Sequence, residues 1–297
     1  MRAEYIVPLV TALDAQGGPD ERGIRESVRF VIEGGMDGVA VLGSIGEFFA
    51  VSPRDKRRVI DIAADEIGGR VPMLAGVGGM DISESIDLAN YAFKRGAYAA
   101  LAISPYYFRL SERDILAYYD RLAASVNGPV YLYNFPERTG YDLGCEITLK
   151  LLRRHKNILG YKDTLPGMDH TRALIEAVRA EFPEFKIYSG FDENFAHNAL
   201  SGGAGCIAGL GNVLPERLRD WARAVNANDA AGIAAGQRTV NRMMALYAAA
   251  PLFIPAIKCA MALRGVPVGP ACTFPIQSCD ASERDKIARL LASCGLI

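Results

Sequence analysis

Short apolar runs that close on small or polar residues recur along the first two thirds of the chain, at intervals of about 30 residues, the length of one βα unit. They are Tyr5–Thr11, Gly38–Ser44, Val71–Val77, Ala99–Pro105, Pro129–Phe135, Ile158–Asp163, Lys186–Gly190 and Gly205–Ala208. Their near-continuous apolar character predicts a parallel sheet covered on both faces. Between them, helical periodicity runs through Glu21–Gly34, Ser52–Gly68, Ser83–Arg95, Ser111–Ser125, Cys145–His155 and Asp169–Phe182. Several of these segments open on Ser, Asp or an early Pro and several close on Gly, as helix caps do. Eight βα units closing on themselves make a (β/α)8 TIM barrel, which needs about 250 residues. An open doubly wound sheet would use the same alternation. Against it, Gly76-Val77-Gly78-Gly79 meets Asp81 where a dinucleotide fingerprint needs its third glycine.

From Pro215 onward no strand pattern appears, and Glu216–Val225, Asp229–Ala249, Pro255–Leu263 and Ser282–Ser293 read as helices. The expected organisation is a barrel over residues 1–214 carrying the active site, with residues 215–297 as a C-terminal helical extension packed on it. With 33 basic against 34 acidic side chains and a net charge of -1, the chain lacks the cationic excess that nucleic-acid binding requires. The longest uncharged stretches, 195–215 and 243–257, are interrupted by Gly, Asn, Ser or Pro, so neither supplies the run of about 20 apolar residues that spans a membrane. The opening MRAEYIVPLV does not have the layout of a secretory signal, and the mature chain is expected to start at or near Met1. Six scattered cysteines without a C-x-x-C pair point to reduced packing thiols and a cytoplasmic protein.

In a barrel the chemistry sits at the C-terminal ends of the strands. Among those ends only one residue is a lysine, Lys162. A lysine within an apolar strand loses hydration, which favours the neutral amine that can attack a carbonyl and form a Schiff base. The plain alternative is an ion pair with a carboxylate, but strand alternation sends Lys162 and Asp163 to opposite faces. Tyr133 ends the preceding strand and would serve as general acid and base beside an imine, whereas Tyr131 suits packing. The GSIGE loop, Gly43–Glu47, leaves a strand for a helix, so its backbone N–H groups can hold an anion, although such turns are often only tight. The histidines His155, His170 and His197 have no metal-ligand spacing, and neither a Walker sequence nor a G-x-S-x-G elbow occurs. No cofactor is expected.

The segments GSIGE at 43–47, PYY at 105–107, YNFPERTG at 133–140 and GYKDT at 160–164 together resemble the dihydrodipicolinate synthase and N-acetylneuraminate lyase family, in order and spacing along nearly the whole chain. That resemblance implies a metal-free, pyruvate-dependent class I aldolase. Lys162 would form the imine with the 2-oxo acid, Tyr133 would be the acid and base, and Ser44 would relay protons between Tyr133 and Tyr107 of the partner subunit. The loop at Ser44, Ile45 and Gly46 would hold the 2-oxo acid carboxylate, with the Ile207 carbonyl beside it. A tyrosine shared across an interface implies a homo-oligomer, a dimer or tetramer.

The remainder of the site would select the aldehyde half. Arg138 matches the arginine that binds the carboxylate of aspartate semialdehyde in the synthase. Asp192 and Glu193 match the pair that binds the hydroxylated tail in the sialic-acid lyase, with Thr164 and Gly190 nearby. Ile45 stands where both enzymes usually place Thr, and Pro53 and Lys56 lie where some synthases carry inhibitor-binding histidines. LYNFP and PYYF most resemble members that cleave 2-keto-3-deoxy sugar acids, and that is the expected reaction. The alternatives are dihydrodipicolinate synthase itself, N-acetylneuraminate lyase, a dehydratase sharing the lysine, or a sensor that binds an oxo acid without chemistry.

Overall fold

In the computed structural model, which describes all of residues 1–297, eight parallel strands close in sequence order into one barrel. They are β1 (Glu4–Pro8), β2 (Gly38–Val41), β3 (Met73–Gly76), β4 (Ala99–Ile103), β5 (Val130–Asn134), β6 (Ile158–Asp163), β7 (Lys186–Ser189) and β8 (Gly205–Ile207). β8 returns to β1 through the register pair Tyr5 and Cys206, so no strand edge is left open. Each expected strand is present, but most stop short of the apolar run that announced them. Leu9, Leu42, Val77 and Ser104 lie beyond the paired ladder and are still buried. The run records burial in the barrel mouth, which outlasts the hydrogen bonding.

The barrel helices are α1 (Glu21–Glu33), α2 (Pro53–Ile67), α3 (Ile82–Lys94), α4 (Glu112–Ser125), α5 (Pro136–Thr139), α6 (Cys145–Arg154), α7 (Asp169–Arg179) and α8 (Phe195–Leu200). α2 shows how closely local chemistry sets the ends. Ser52 Oγ accepts the Asp55 N–H, Pro53 occupies the first turn, and Gly68 closes the helix at φ +53°. Replacing such a cap by Ala costs about 1 kcal/mol. α5 and α8 escaped the sequence reading because four and six residues are too few to display a helical period.

Four helices follow the last strand: α9 (Pro215–Asn226), α10 (Ala230–Met243), α11 (Phe253–Leu263) and α12 (Ala281–Ser293). α10 tightens into a 3-10 segment, Met244–Ala248. We propose residue 214/215 as the boundary between barrel and extension, with α9 serving both. α9 follows β8, as the βα order requires, and its Asn226 side chain donates to the Ala3 carbonyl and accepts the Ala3 N–H at 2.9 and 2.8 Å. No single helix is long and apolar enough to cross a membrane.

Inside the barrel, Tyr131 stacks on Tyr188 with centroids 6.0 Å apart and meets Tyr98 edge-on. Gly160 makes this possible, since a Cβ there would lie 2.6 Å from the Tyr131 ring. Tyr131 is the packing residue the sequence suggested. One residue pair further up the same inward face come Tyr133 and Lys162, which are register neighbours on β5 and β6.

Candidate active site

The mouth of the barrel holds a cavity of about 190 Å³. Lys162 enters it from β6. The side chain is 5% exposed, makes no ion pair, and places its Nζ 4.4 Å from the centroid of the Tyr133 ring. Asp163 points the other way, as alternation requires. Its buried carboxylate accepts from Asn134 Nδ2 at 3.0 Å, Thr171 Oγ1 at 2.7 Å and His170 Nδ1 at 2.8 Å. The neighbouring carboxylate is thus consumed outside the barrel, and the amine stands unpaired inside it.

Tyr133 is 3% exposed, and its phenol oxygen lies 3.2 Å from Ser44 Oγ. Ser44 and Ile45 belong to the turn after β2. Within that turn Gly46 N–H and Phe48 N–H donate to the Gly43 carbonyl and Glu47 N–H donates to the Ser44 carbonyl. The N–H groups of Ser44 and Ile45 have no protein acceptor and belong to two residues that line the cavity. Two free amides beside an amine make a site for an anion such as a carboxylate.

The turn is held in an uncommon backbone shape. Leu42 and Glu47, both non-glycine, have φ of +56° and +58°. A side chain at Gly76 would collide with the Leu42 carbonyl at 1.9 Å, so β3 must carry a glycine there. Glu47 is anchored from the far end of the chain. Its Oε1 accepts from Lys258 Nζ of α11 at 2.5 Å, and its Oε2 accepts the Thr273 N–H and hydroxyl at 2.6 and 2.9 Å. Lys258 also donates to the Ala271 carbonyl at 2.7 Å. Both ions are wholly buried.

Several other expected residues meet in the same cavity: Arg138, Thr164, Gly190, Asp192 and Ile207. Arg138 lies over the Phe135 ring and pairs with Glu137 at 2.8 Å. Thr164 Oγ1 is buried at the wall without a hydrogen-bond partner. Asp192 is almost completely buried, and burial raises its carboxyl above the usual range against the hydrogen bonds it accepts.

Three expected residues stand apart. Gly46 does not line the cavity; its carbonyl accepts the Thr11 hydroxyl at 2.6 Å. Glu193 is also off the lining, with Oε2 buried and unpartnered, and burial raises its carboxyl. Tyr107 is 84% exposed at φ +87°, packed edge-on against the equally outward Phe108. An aromatic residue held in left-handed backbone costs of order 1–3 kcal/mol. Nothing in the same chain accounts for that cost.

The sequence reading missed the wall that the extension builds. Met244, Tyr247 and Phe253 line the cavity from the 3-10 segment and from α11. Their only sequence signal is an uncharged stretch, which reads equally well as core. No group of three His, Cys, Asp or Glu side chains is arranged to hold a metal ion.

Eight strands closed in sequence order around an unpaired buried lysine, a tyrosine ring against it and two free amides have the architecture of a barrel enzyme. Residues 1–294 match the family described as "Dihydrodipicolinate synthetase family". The chain belongs to the dihydrodipicolinate synthetase family, whose members are class I lyases. It is 34% identical over 292 residues to the "Probable 2-dehydro-3-deoxy-D-pentonate aldolase YjhH" of Escherichia coli K12, covering 98% of this chain and 97% of that one. It is also 35% identical over 244 residues to a 4-hydroxy-tetrahydrodipicolinate synthase of Azoarcus sp. BH72, covering 82% and 80%. Among solved structures it superposes with a TM-score of 0.96 and 32% identity on YagE of E. coli K12, a protein of the same family crystallised in complex with pyruvate, covering 99% of each chain.

Proposed function

We propose that the protein is a Schiff-base lyase that cleaves a 2-keto-3-deoxy sugar acid to pyruvate and an aldehyde. The observation that carries this reading is the Lys162 amine, unpaired in a cavity, with the Tyr133 phenol above it and two unengaged amides in the wall. The amides of Ser44 and Ile45 hold the 2-oxo acid carboxylate, and the Ile207 carbonyl lies beside it. Lys162 Nζ adds to the C2 carbonyl and water leaves, and the proton of the Tyr133 phenol goes to the nitrogen, forming a protonated imine and a phenolate. That phenolate takes the proton from the C4 hydroxyl as the C3–C4 bond breaks. The electron pair of that bond passes into the imine as an enamine, and the aldehyde departs. A proton returned to C3 and a water added at C2 release pyruvate and the free lysine. Ser44, in contact with the phenol, carries the proton between steps.

The similarity to the named pentonate aldolase supports a sugar-acid substrate, and the cavity chemistry agrees. Away from Lys162 and the two amides, the polar wall side chains carry hydroxyl and carboxyl oxygens, and the guanidinium among them, Arg138, already has Glu137 as partner. Arg138 also supports the second reading, condensation of pyruvate with aspartate semialdehyde, because a guanidinium in the wall can bind the carboxylate of that aldehyde. The exposed, strained Tyr107 supports a homo-oligomer in which this ring completes the partner subunit's site. Six free cysteines suit a reducing, cytoplasmic compartment.

Borohydride reduction in the presence of pyruvate tests the mechanism by attaching a covalent adduct to Lys162, read by peptide mass. An unmodified Lys162 at saturating pyruvate refutes it. Pyruvate release from a panel of 2-keto-3-deoxy acids and sialic acid, run beside condensation with aspartate semialdehyde, decides between the substrates.

A further inference from the structure

Asp192, expected to meet substrate hydroxyls, is already surrounded. Its Oδ1 accepts from the Tyr5 hydroxyl and, at 2.9 Å, from the Leu210 N–H; its Oδ2 accepts from the Tyr247 hydroxyl at 2.6 Å. Asp192 lines the cavity, but the residue is 1% exposed and both carboxylate oxygens already accept from the protein. Tyr247 also lines the cavity, and its phenol oxygen occupies the space that a side chain at Gly209 would take, 2.7 Å from the position of a Cβ there. The same Cβ would lie 3.0 Å from Ile45 Cδ1, so Gly209 is the position at which the C-terminal segment, β8 and the carboxylate-binding turn converge.

This arrangement fixes the polarity of the phenol. Burial, and then the charge of Asp192, raise Tyr247 well above the ordinary range for a tyrosine, so it keeps its proton. That proton is committed to Asp192, so what the oxygen has left is acceptor capacity, shared with the backbone N–H of Gly209 at the cavity wall. Hydrogen bonds in a chain polarise one another, which makes this oxygen a better acceptor than an isolated phenol. Such an oxygen takes a bond from a hydroxyl and repels a carboxylate.

We propose that Tyr247 is a specificity-determining residue that accepts a hydrogen bond from a hydroxyl of the aldehyde half of the substrate, and that Asp192 is the positioning residue that turns it to do so. The inference rests on the sugar-acid reading above and adds to it a defined partner for one hydroxyl. It also gives a reason for a helical extension to close over a barrel whose reacting lysine and phenol are already in place.

The test compares kcat/KM for 2-keto-3-deoxygluconate with that for 4-hydroxy-2-oxopentanoate, which has the same bond to cleave but a methyl group in place of the hydroxylated tail. Tyr247→Phe removes only the phenol oxygen. Leaving a substrate hydroxyl unpaired in a buried site lowers kcat/KM for the sugar acid by about tenfold or more, mostly through KM. The methyl-tailed substrate shifts by less than about threefold, so discrimination between the two narrows by the ratio. Equal losses on both substrates, or no loss on either, overturn the proposal.

A series of analogues deoxygenated singly at the tail carbons beyond C4, whose hydroxyl the cleavage itself needs, is assayed on the unmodified protein and needs no variant. One of them loses activity by a similar factor, and in Tyr247→Phe that penalty disappears. A series in which no single deoxygenation matters also overturns it. If Lys162 traps pyruvate but no sugar acid releases it, the substrate reading fails together with the inference. If sugar acids are cleaved and Tyr247→Phe keeps the full discrimination, only the role of Tyr247 falls.

Discussion

Replacing His170 tests a network that grips the outside of the strand carrying Lys162. His170 Nδ1 lies 2.8 Å from Asp163 Oδ2, and Nε2 lies 3.1 Å from Asp142 Oδ2, so the imidazole sits between two carboxylates. Burial works against its charge but is outweighed by hydrogen bonds and attraction from Asp142 and Asp163, which raise it from 6.5 to about 10. The folded-state value exceeds the unfolded one, so the stabilisation is complete below about pH 6.5 and is lost as the pH rises through about 10. At about 1.36 kcal/mol per pH unit, the difference contributes on the order of 4 kcal/mol at pH 7, falling below about 1 kcal/mol at pH 10.

His170→Asn removes the cation and leaves the wholly buried Asp163 with two neutral side-chain donors, Asn134 and Thr171. Urea unfolding of parent and variant at pH 7, 8.5 and 10 measures the gap in stability. We expect it to shrink from about 3–4 kcal/mol to about 1 kcal/mol across that range. A gap of constant size would show that His170 acts by packing and not by charge, and the reasoning would be refuted.

Other substitutions follow from the same geometry. Tyr133→Phe keeps the ring over Lys162 and removes the proton carrier, so kcat for cleavage drops by about 10²–10⁴ while borohydride still traps pyruvate on Lys162; undiminished turnover would assign the proton to another group. Lys258→Met strands the Glu47 carboxylate and costs about 3–5 kcal/mol in urea unfolding, whereas pairing it with Glu47→Gln recovers much of the loss; equal costs for the single and double variants would count against the buried ion pair. Tyr107→Phe leaves unfolding within about 0.5 kcal/mol of the parent, as expected of an exposed ring, but lowers turnover when sedimentation shows an oligomer; unchanged turnover would remove Tyr107 from the proton route.

What could be read from the sequence divides along a physical line. β6 was legible because a parallel strand covered on both faces is apolar throughout, and Lys162 is the one inward residue that violates the pattern. Alternation alone placed Asp163 on the opposite face. It could not say that Asp163 would be held by His170 and Thr171, because those contacts depend on how α7 seats against the sheet. The same limit applies more strongly to Glu47 and Lys258, 211 positions apart. Nothing local marks either as the other's partner, and only closure of the extension over the mouth makes them a buried pair.

Asp192 shows the limit from the other side. Its type and position suggested a ligand for substrate hydroxyls, yet the three donors that hold it come from β1, from the turn after β8 and from the extension. None of them is within fifteen residues of Asp192 in the chain. A carboxylate enclosed this fully acts through the groups it orders. In this protein the residue left facing the substrate is Tyr247, supplied by the part of the chain whose sequence says least about chemistry. Specificity can therefore vary with the extension while the lysine, the phenol and the two free amides stay on the barrel, where strand pairing holds them.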